Sequence, residues 1–180
     1  MIPLPDDTFD VILADPPWQF HTYAPGNRSI ENHYDTMDLD DICAMPVSDI
    51  AANDSVLYLW TTAPQLPAGL QVMASWGFEY KTNMVWDKGV IGLGYWARIQ
   101  HEHLLIGRRG TFPLPSPSLR PSSVINEPRT KHSAKPGCVH QMLERIYPDT
   151  RRIELFARRG WPGWTMWGDE TYDLLLEREE

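Results

Sequence analysis

Residues 9–18 read Phe9-Asp10-Val11-Ile12-Leu13-Ala14-Asp15-Pro16-Pro17-Trp18. A short apolar run closed by two prolines, which have no N–H for a strand ladder, is a buried strand that stops at Asp15. Gln19 to Met37 follows with Pro, Gly, Asn and Ser and no periodicity. It predicts a long loop at the strand's C-terminal end, and loops of that length in a compact domain are usually functional.

Working outward, Ser55 to Trp60 (SVLYLW) predicts a second strand. Leu66, Leu70 and Met73 then recur at helical spacing before Gly77, a helix stop. Lys81 to Trp86 and His103 to Gly107 predict two more strands, parted by a turn or loop over Gly89 to Gly94. A Pro/Ser-rich loop spans Phe112 to Ser123, and neither side of it is long enough to fold comfortably alone, so residues 1–180 form one domain. Val139, Met142, Leu143 and Ile146 make the apolar face of a helix ended by Pro148, and Ile153 to Phe156 is a last strand. Strands alternating with helices predict an α/β fold with a parallel, doubly wound sheet, whose ligands bind at the C-terminal strand ends.

With 42% apolar and 11% aromatic residues in 180, the chain can bury a core, which excludes disorder. The N-terminus lacks the basic start and apolar stretch of a secretory signal, and no run approaches the about 18 apolar residues of a membrane span. A cytoplasmic protein without a membrane partner is expected. Two cysteines, Cys43 and Cys138, exclude a disulfide framework and a four-cysteine zinc site.

The net charge of -8 argues against holding nucleic acid by bulk electrostatics, yet it divides unevenly. Residues 1–60 carry -10, residues 61–97 balance, residues 98–159 carry +7 and residues 160–180 carry -5. One stretch is therefore a basic island. Eight tryptophans are a surplus that serves either as core and interface material or as rings that stack on bases.

Asp15-Pro16-Pro17-Trp18 sets an acceptor, two rigid residues and a broad ring in succession. A nucleobase amino group is a poor nucleophile because its lone pair is delocalised; a carboxylate and a free carbonyl accepting its two hydrogens would restore that lone pair. Pro17 fixes the backbone so that the Pro16 carbonyl stays unclaimed by a neighbouring turn. Trp18 could stack on the base. The competing reading is a strand-end turn with a core tryptophan.

The sequence resembles the N(6)-adenine methyltransferases of the family that includes the catalytic subunit of the eukaryotic messenger-RNA adenosine methyltransferase and smaller bacterial and phage members. Ala14-Asp15-Pro16-Pro17-Trp18 is followed, in the family's order, by Tyr34-Asp35-Thr36-Met37, Tyr58-Leu59-Trp60, Trp86-Asp87-Lys88 and His132-Ser133-Ala134-Lys135-Pro136. Leu143-Glu144-Arg145-Ile146, Arg152 to Arg158 (RIELFAR), Trp164 and Gly168-Asp169-Glu170 complete the series.

The resemblance implies a Rossmann-like, S-adenosylmethionine-dependent methyltransferase fold in permuted order, with the catalytic motif before the cofactor-binding half. Asp15 matches the catalytic aspartate and also lies next to the cofactor's amino group in the family. Pro16 matches the residue whose carbonyl takes the second amino hydrogen, Pro17 completes the motif, and Trp18 matches the stacking ring. Tyr34 falls in a loop that closes over the target base. Lys135 matches the lysine that holds the cofactor carboxylate; Arg158, Asp169 and Glu170 match positions around its ribose and adenine. Asp169 and Glu170 replace the family's amides with acids, which accept from ribose hydroxyls but lack amide donors. Glu154, at a strand end, is where carboxylates meet a ribose in doubly wound folds, or else a structural partner of a nearby arginine.

Lys88, Arg98, Arg129 and Lys131 lie on predicted loops where they could hold phosphates, or simply face solvent. His132 stands beside the cofactor or a phosphate, or is a satisfied loop histidine. His101-Glu102-His103 looks metal-like, but alternate strand residues face one way, so only the two histidines can pair and no third ligand is near in sequence. The expected activity is methyl transfer from S-adenosylmethionine to the 6-amino group of adenine in DNA, without a metal. RNA is the alternative polymer, and a non-catalytic scaffold subunit the alternative class. Self-association as a homodimer fits the tryptophan supply.

Overall fold

The computed structural model describes residues 3–19, 36–128 and 135–168. Among these residues, strands β1 (Phe9–Ala14), β2 (Ala51–Thr62), β3 (Glu79–Asp87), β4 (His101–Arg109), β5 (Val124–Asn126), β6 (Arg152–Leu155) and β7 (Thr165–Trp167) form one sheet in the order β5-β3-β4-β2-β1-β6-β7. The helices are α1 (Leu39–Ala44), α2 (Val47–Ile50), α3 (Leu66–Ser75) and α4 (Cys138–Ile146).

β1 pairs in parallel with β2 on one side and β6 on the other. β4 runs antiparallel to both of its neighbours, β2 and β3. The expected parallel sheet is thus mixed, because the Gly-rich segment turns the chain straight back from β3 into β4 instead of crossing over with a helix. As a result the start of β4 lies at the same edge of the sheet as the ends of β1, β2 and β3.

Alternation of side chains splits the interior into two layers. Ile12, Ala14, Leu57 and Leu59 face α1, α2 and α3, with Ile42, Val47, Val72, Met73 and Trp76. Val11, Leu13, Tyr58, Trp60, Trp86 and Leu104 face the other way, toward Val139, Leu143 and Ile146 of α4. Helices on both faces give the three-layered, Rossmann-like arrangement. The Trp76 indole N–H donates to the Ile42 carbonyl at 2.9 Å, tying α3 to α1. Gly77 follows α3 at φ 83°, a left-handed stop that glycine adopts without strain. Leu70, expected on the apolar face of α3, is exposed; Gly69, Val72 and Met73 make the contact instead. Among the described residues no helix is long and apolar enough to cross a membrane.

Candidate active site

Asp15 leaves the sheet one residue past the end of β1, on the parity of Val11 and Leu13, and so faces the α4 layer. The next residues are pinned rather than loose. The Asp15 N–H donates to the Leu155 carbonyl (3.4 Å), the Met37 N–H to the Pro17 carbonyl (3.0 Å), and the Gln65 side-chain amide to the Gln19 carbonyl (2.7 Å).

The chain then brings Lys135 to Asp15 across 120 residues, with Nζ 2.7 Å from Oδ2. The same ammonium is 3.3 Å from Glu102 Oε2 and 5.8 Å from the centre of the Trp60 ring. Glu102 in turn accepts from Lys88 Nζ at 3.1 Å. Asp15, Lys135, Glu102 and Lys88 therefore form a chain of alternating charge at one edge of the sheet. Trp60 and Trp86 floor it, edge to face with centroids 6.0 Å apart. Glu102 belongs here by parity: it shares a side of β4 with buried Leu104, and its register partners are Thr62 and Trp86.

Burial raises the Asp15 pKa above the ordinary aspartate value; Lys135 opposes this, Glu102 adds to it, and Arg158 opposes it. Glu102 moves the other way: burial would raise it, but Lys135 and Lys88 together hold it below the usual range. Burial would lower Lys135, yet Asp15 and Glu102 outweigh that and keep it a firm cation. The two carboxylates thus differ in kind. Glu102, with two lysines, stays ionised, whereas Asp15 shares one lysine and is the group poised to take a proton.

Several sequence expectations need correction. The Pro16 carbonyl is not unclaimed: the Trp18 N–H donates to it at 2.8 Å, because the tight turn after Pro17 folds that N–H back. A carbonyl has two lone pairs, so one acceptor position is left. Trp18 is 7% exposed, packed in the α1–α3 layer, and its indole donates to the Trp60 carbonyl at 3.1 Å, so neither ring face is open for a base. Lys88 is committed to Glu102 rather than to a phosphate. Glu154 is paired with a histidine: its Oε2 is 2.8 Å from His140 Nε2, under α4. The His140 ring stacks on Trp161 with centroids 4.4 Å apart.

Arg98 is exposed on the β3–β4 loop, where its Nε donates to the Gly92 carbonyl at 2.7 Å. Arg158 lies close enough to Asp15 to lower its pKa. Tyr34, Arg129, Lys131, His132, Asp169 and Glu170 fall outside the described residues. The residues that sequence reasoning missed are Glu102 and Trp60. Glu102 was legible by parity with Leu104, since His101 and His103 face the opposite side and meet each other edge to face at 5.0 Å.

Comparison with known proteins adds an independent line. The MT-A70 family model matches residues 9–170. The chain is 34% identical over 192 residues to the type II methyltransferase M.MunI of Mycoplasma sp, covering 97% of this chain and 82% of that protein. It is 32% identical over 181 residues to a probable N(6)-adenosine-methyltransferase MT-A70-like of Oryza sativa subsp. japonica, covering 95% of this chain and 24% of the relative. It is also 30% identical over 178 residues to the N(6)-adenosine-methyltransferase catalytic subunit METTL3 of Homo sapiens, covering 93% of this chain and 29% of that protein. The chain thus spans about a quarter of the length of these plant and animal relatives.

Proposed function

The chain belongs to the MT-A70 family of methyltransferases, and on that premise we propose that it transfers a methyl group from S-adenosylmethionine to the 6-amino group of adenine in DNA. The observation that carries the reading is Asp15, a raised-pKa carboxylate held at a strand end by Lys135.

The donor set fits such a cofactor. S-adenosylmethionine carries a sulfonium, an amino group and a carboxylate, and the site offers two carboxylates, Asp15 and Glu102, around one buried ammonium, Lys135. Lys135 would hold the cofactor's carboxylate and Asp15 its amino group. When bound, the cofactor supplies a methyl group as an electrophile. The chain's own residues prepare the other reactant. The Asp15 carboxylate and the remaining lone pair of the Pro16 carbonyl would accept the two amino hydrogens of adenine, which localises the nitrogen lone pair. As the nitrogen gains the methyl group it gives up one proton, and Asp15, whose pKa burial already raises, is suited to receive it. To reach Asp15 the base must leave its stack, which costs least in single strands or opened duplex.

The names of the plant and animal relatives, N(6)-adenosine methyltransferases, support RNA as the second reading. One assay tests both: transfer of label from S-adenosylmethionine to DNA and RNA, single- and double-stranded, with wild type beside Asp15→Asn. Label on adenine N6 of one polymer, lost in the variant, is expected. Full transfer by Asp15→Asn would sink the mechanism. Failure of the wild type to bind S-adenosylmethionine would point to a scaffold subunit.

A further inference from the structure

Seven of the eight tryptophans are at least half-buried, and six of those donate their indole N–H to a carbonyl or carboxylate. Trp96 is the exception at 103% exposure, and it does not stand alone. Val90, Ile91, Leu93 and Tyr95 in the same β3–β4 loop are 57%, 65%, 85% and 86% exposed. The loop is held in shape by its own backbone: the Lys88 N–H donates to the Gln100 carbonyl (3.0 Å), the Gly92 N–H to the Ile99 carbonyl (2.9 Å), and the Ile99 N–H to the Leu93 carbonyl (3.2 Å). A Cβ at Gly92 or Gly94 would strike the Ile99 or Ala97 carbonyl, so those glycines are what permits so tight a tip. This is a hydrogen-bonded projection that presents apolar rings to water, and a contiguous exposed patch of that kind marks an interaction site.

We propose that Tyr95 and Trp96 form a stacking platform for the nucleotides that flank the base engaged at Asp15. Two observations select nucleic acid over a protein partner. The loop springs from the end of β3 and the start of β4, the same edge of the sheet at which Lys88, Glu102, Lys135 and Asp15 stand. Residues 88–100 hold not one acid, in a chain whose net charge is -8, and with Lys88 paired to Glu102 their cation is Arg98. Flat rings beside a cation with no carboxylate among them are what a single strand takes up, base on ring and phosphate on guanidinium. Arg98 closes the loop through Nε onto the Gly92 carbonyl, which ties its guanidinium to the same loop as the rings.

The inference rests on the nucleic-acid reading of the Asp15 site, and the experiment keeps the two apart. Binding of a fluorescent, adenine-containing single-stranded DNA oligonucleotide is measured by anisotropy for wild type, Trp96→Ala and Trp96→Phe. Each protein is also run in sedimentation velocity without DNA and assayed for methyl transfer. Because Trp96 touches solvent on all sides, the variants should melt with the wild type. The expected result is binding weakened about tenfold in Trp96→Ala, largely recovered in Trp96→Phe, with sedimentation unchanged. Equal affinity in all three overturns the proposal while leaving the Asp15 reading intact if transfer continues. A wild-type dimer that Trp96→Ala dissociates overturns it in favour of a second copy as the occupant. Wild type that neither binds nor methylates the DNA or a matching RNA overturns both readings.

Discussion

Asp15 and Glu154 sit at the ends of neighbouring parallel strands, face the same layer, and have the same side-chain exposure, 15%. One stretch of chain serves both: Lys135, just ahead of α4, meets Asp15, and His140, inside α4, meets Glu154. What separates them is a short step along the sheet. Glu154 lies level with Leu13, still within the ladder, where α4 roofs it and Trp161 stacks on its histidine. Asp15 lies two residues farther on, past the ladder, where Glu102 of β4 and Lys88 of the β3–β4 loop complete its surroundings. Burial alone therefore does not mark a working carboxylate; position relative to the sheet edge and the identity of the partner do.

The largest effect should break the symmetry of the pair. Asp15→Asn keeps the shape but loses the acceptor, and methyl transfer should fall by about 10²–10⁴-fold, the usual worth of a positioned acid or base. The same variant should melt higher at neutral pH, by about 1–4 °C, since an isosteric neutral group avoids burying a charge. The sign follows from the raised pKa. Protonation of Asp15 stabilises the fold, so wild type gains on the variant as pH falls through that pKa, and the difference closes in acid. A destabilised Asp15→Asn would mean that the Lys135 pair holds the fold together.

His140→Ala, at the other carboxylate, should do the opposite. It leaves Glu154 buried without its partner and removes the ring stacked on Trp161. Stability should drop by about 2–4 kcal/mol, roughly 5–15 °C in melting temperature, while kcat of the folded protein stays within about threefold. Lost transfer with an intact melting transition would return Glu154 to the ribose-binding role expected of a strand-end carboxylate in a doubly wound fold. Trp18→Ala belongs with this structural group: a 7% exposed ring in the core should cost about 3–5 kcal/mol. A variant that melts like wild type yet fails to engage the oligonucleotide would restore the stacking reading.

This contrast marks how far the sequence could be read. The end of β1 at Asp15 was legible because prolines stop ladders, and α4 because its apolar positions keep helical spacing. α1 and α2 escaped notice because they are six and four residues long, parted by Pro46, and α1 opens on Asp40 and Asp41. β5 and β7, three residues each, are too short to show a period. The direction of β4 is set by a tertiary choice at the Gly-rich turn. Lys135 was placed by family likeness alone, since no local pattern reports a partner 120 residues away. Glu102 was legible in the sequence: His101 and His103 share one face of β4, and alternation puts the residue between them on the site's side of the sheet.

Glu102 also offers the smallest and sharpest test of the comparison, because it is the group that Glu154 lacks beside it. Its own pKa is held low: burial would raise it, but Lys135 and Lys88 prevail. It therefore contributes stability above its unfolded pKa, lost as pH falls through the folded one, so Glu102→Gln should melt below wild type at neutral pH and match it in acid. Its effect on Asp15 runs through two routes of one sign. Replacing the glutamate removes a negative neighbour that raises the Asp15 pKa, and it leaves Lys135 to Asp15 alone, which lowers that pKa further. Since transfer needs Asp15 ionised to accept the amino hydrogen, the acid limb of kcat against pH should move to lower pH in Glu102→Gln, with cofactor binding followed separately by calorimetry. A limb that stays in place would show that Glu102 only steadies Lys135, and one that moves to higher pH would mean that Asp15 depends on Glu102 to hold its lysine.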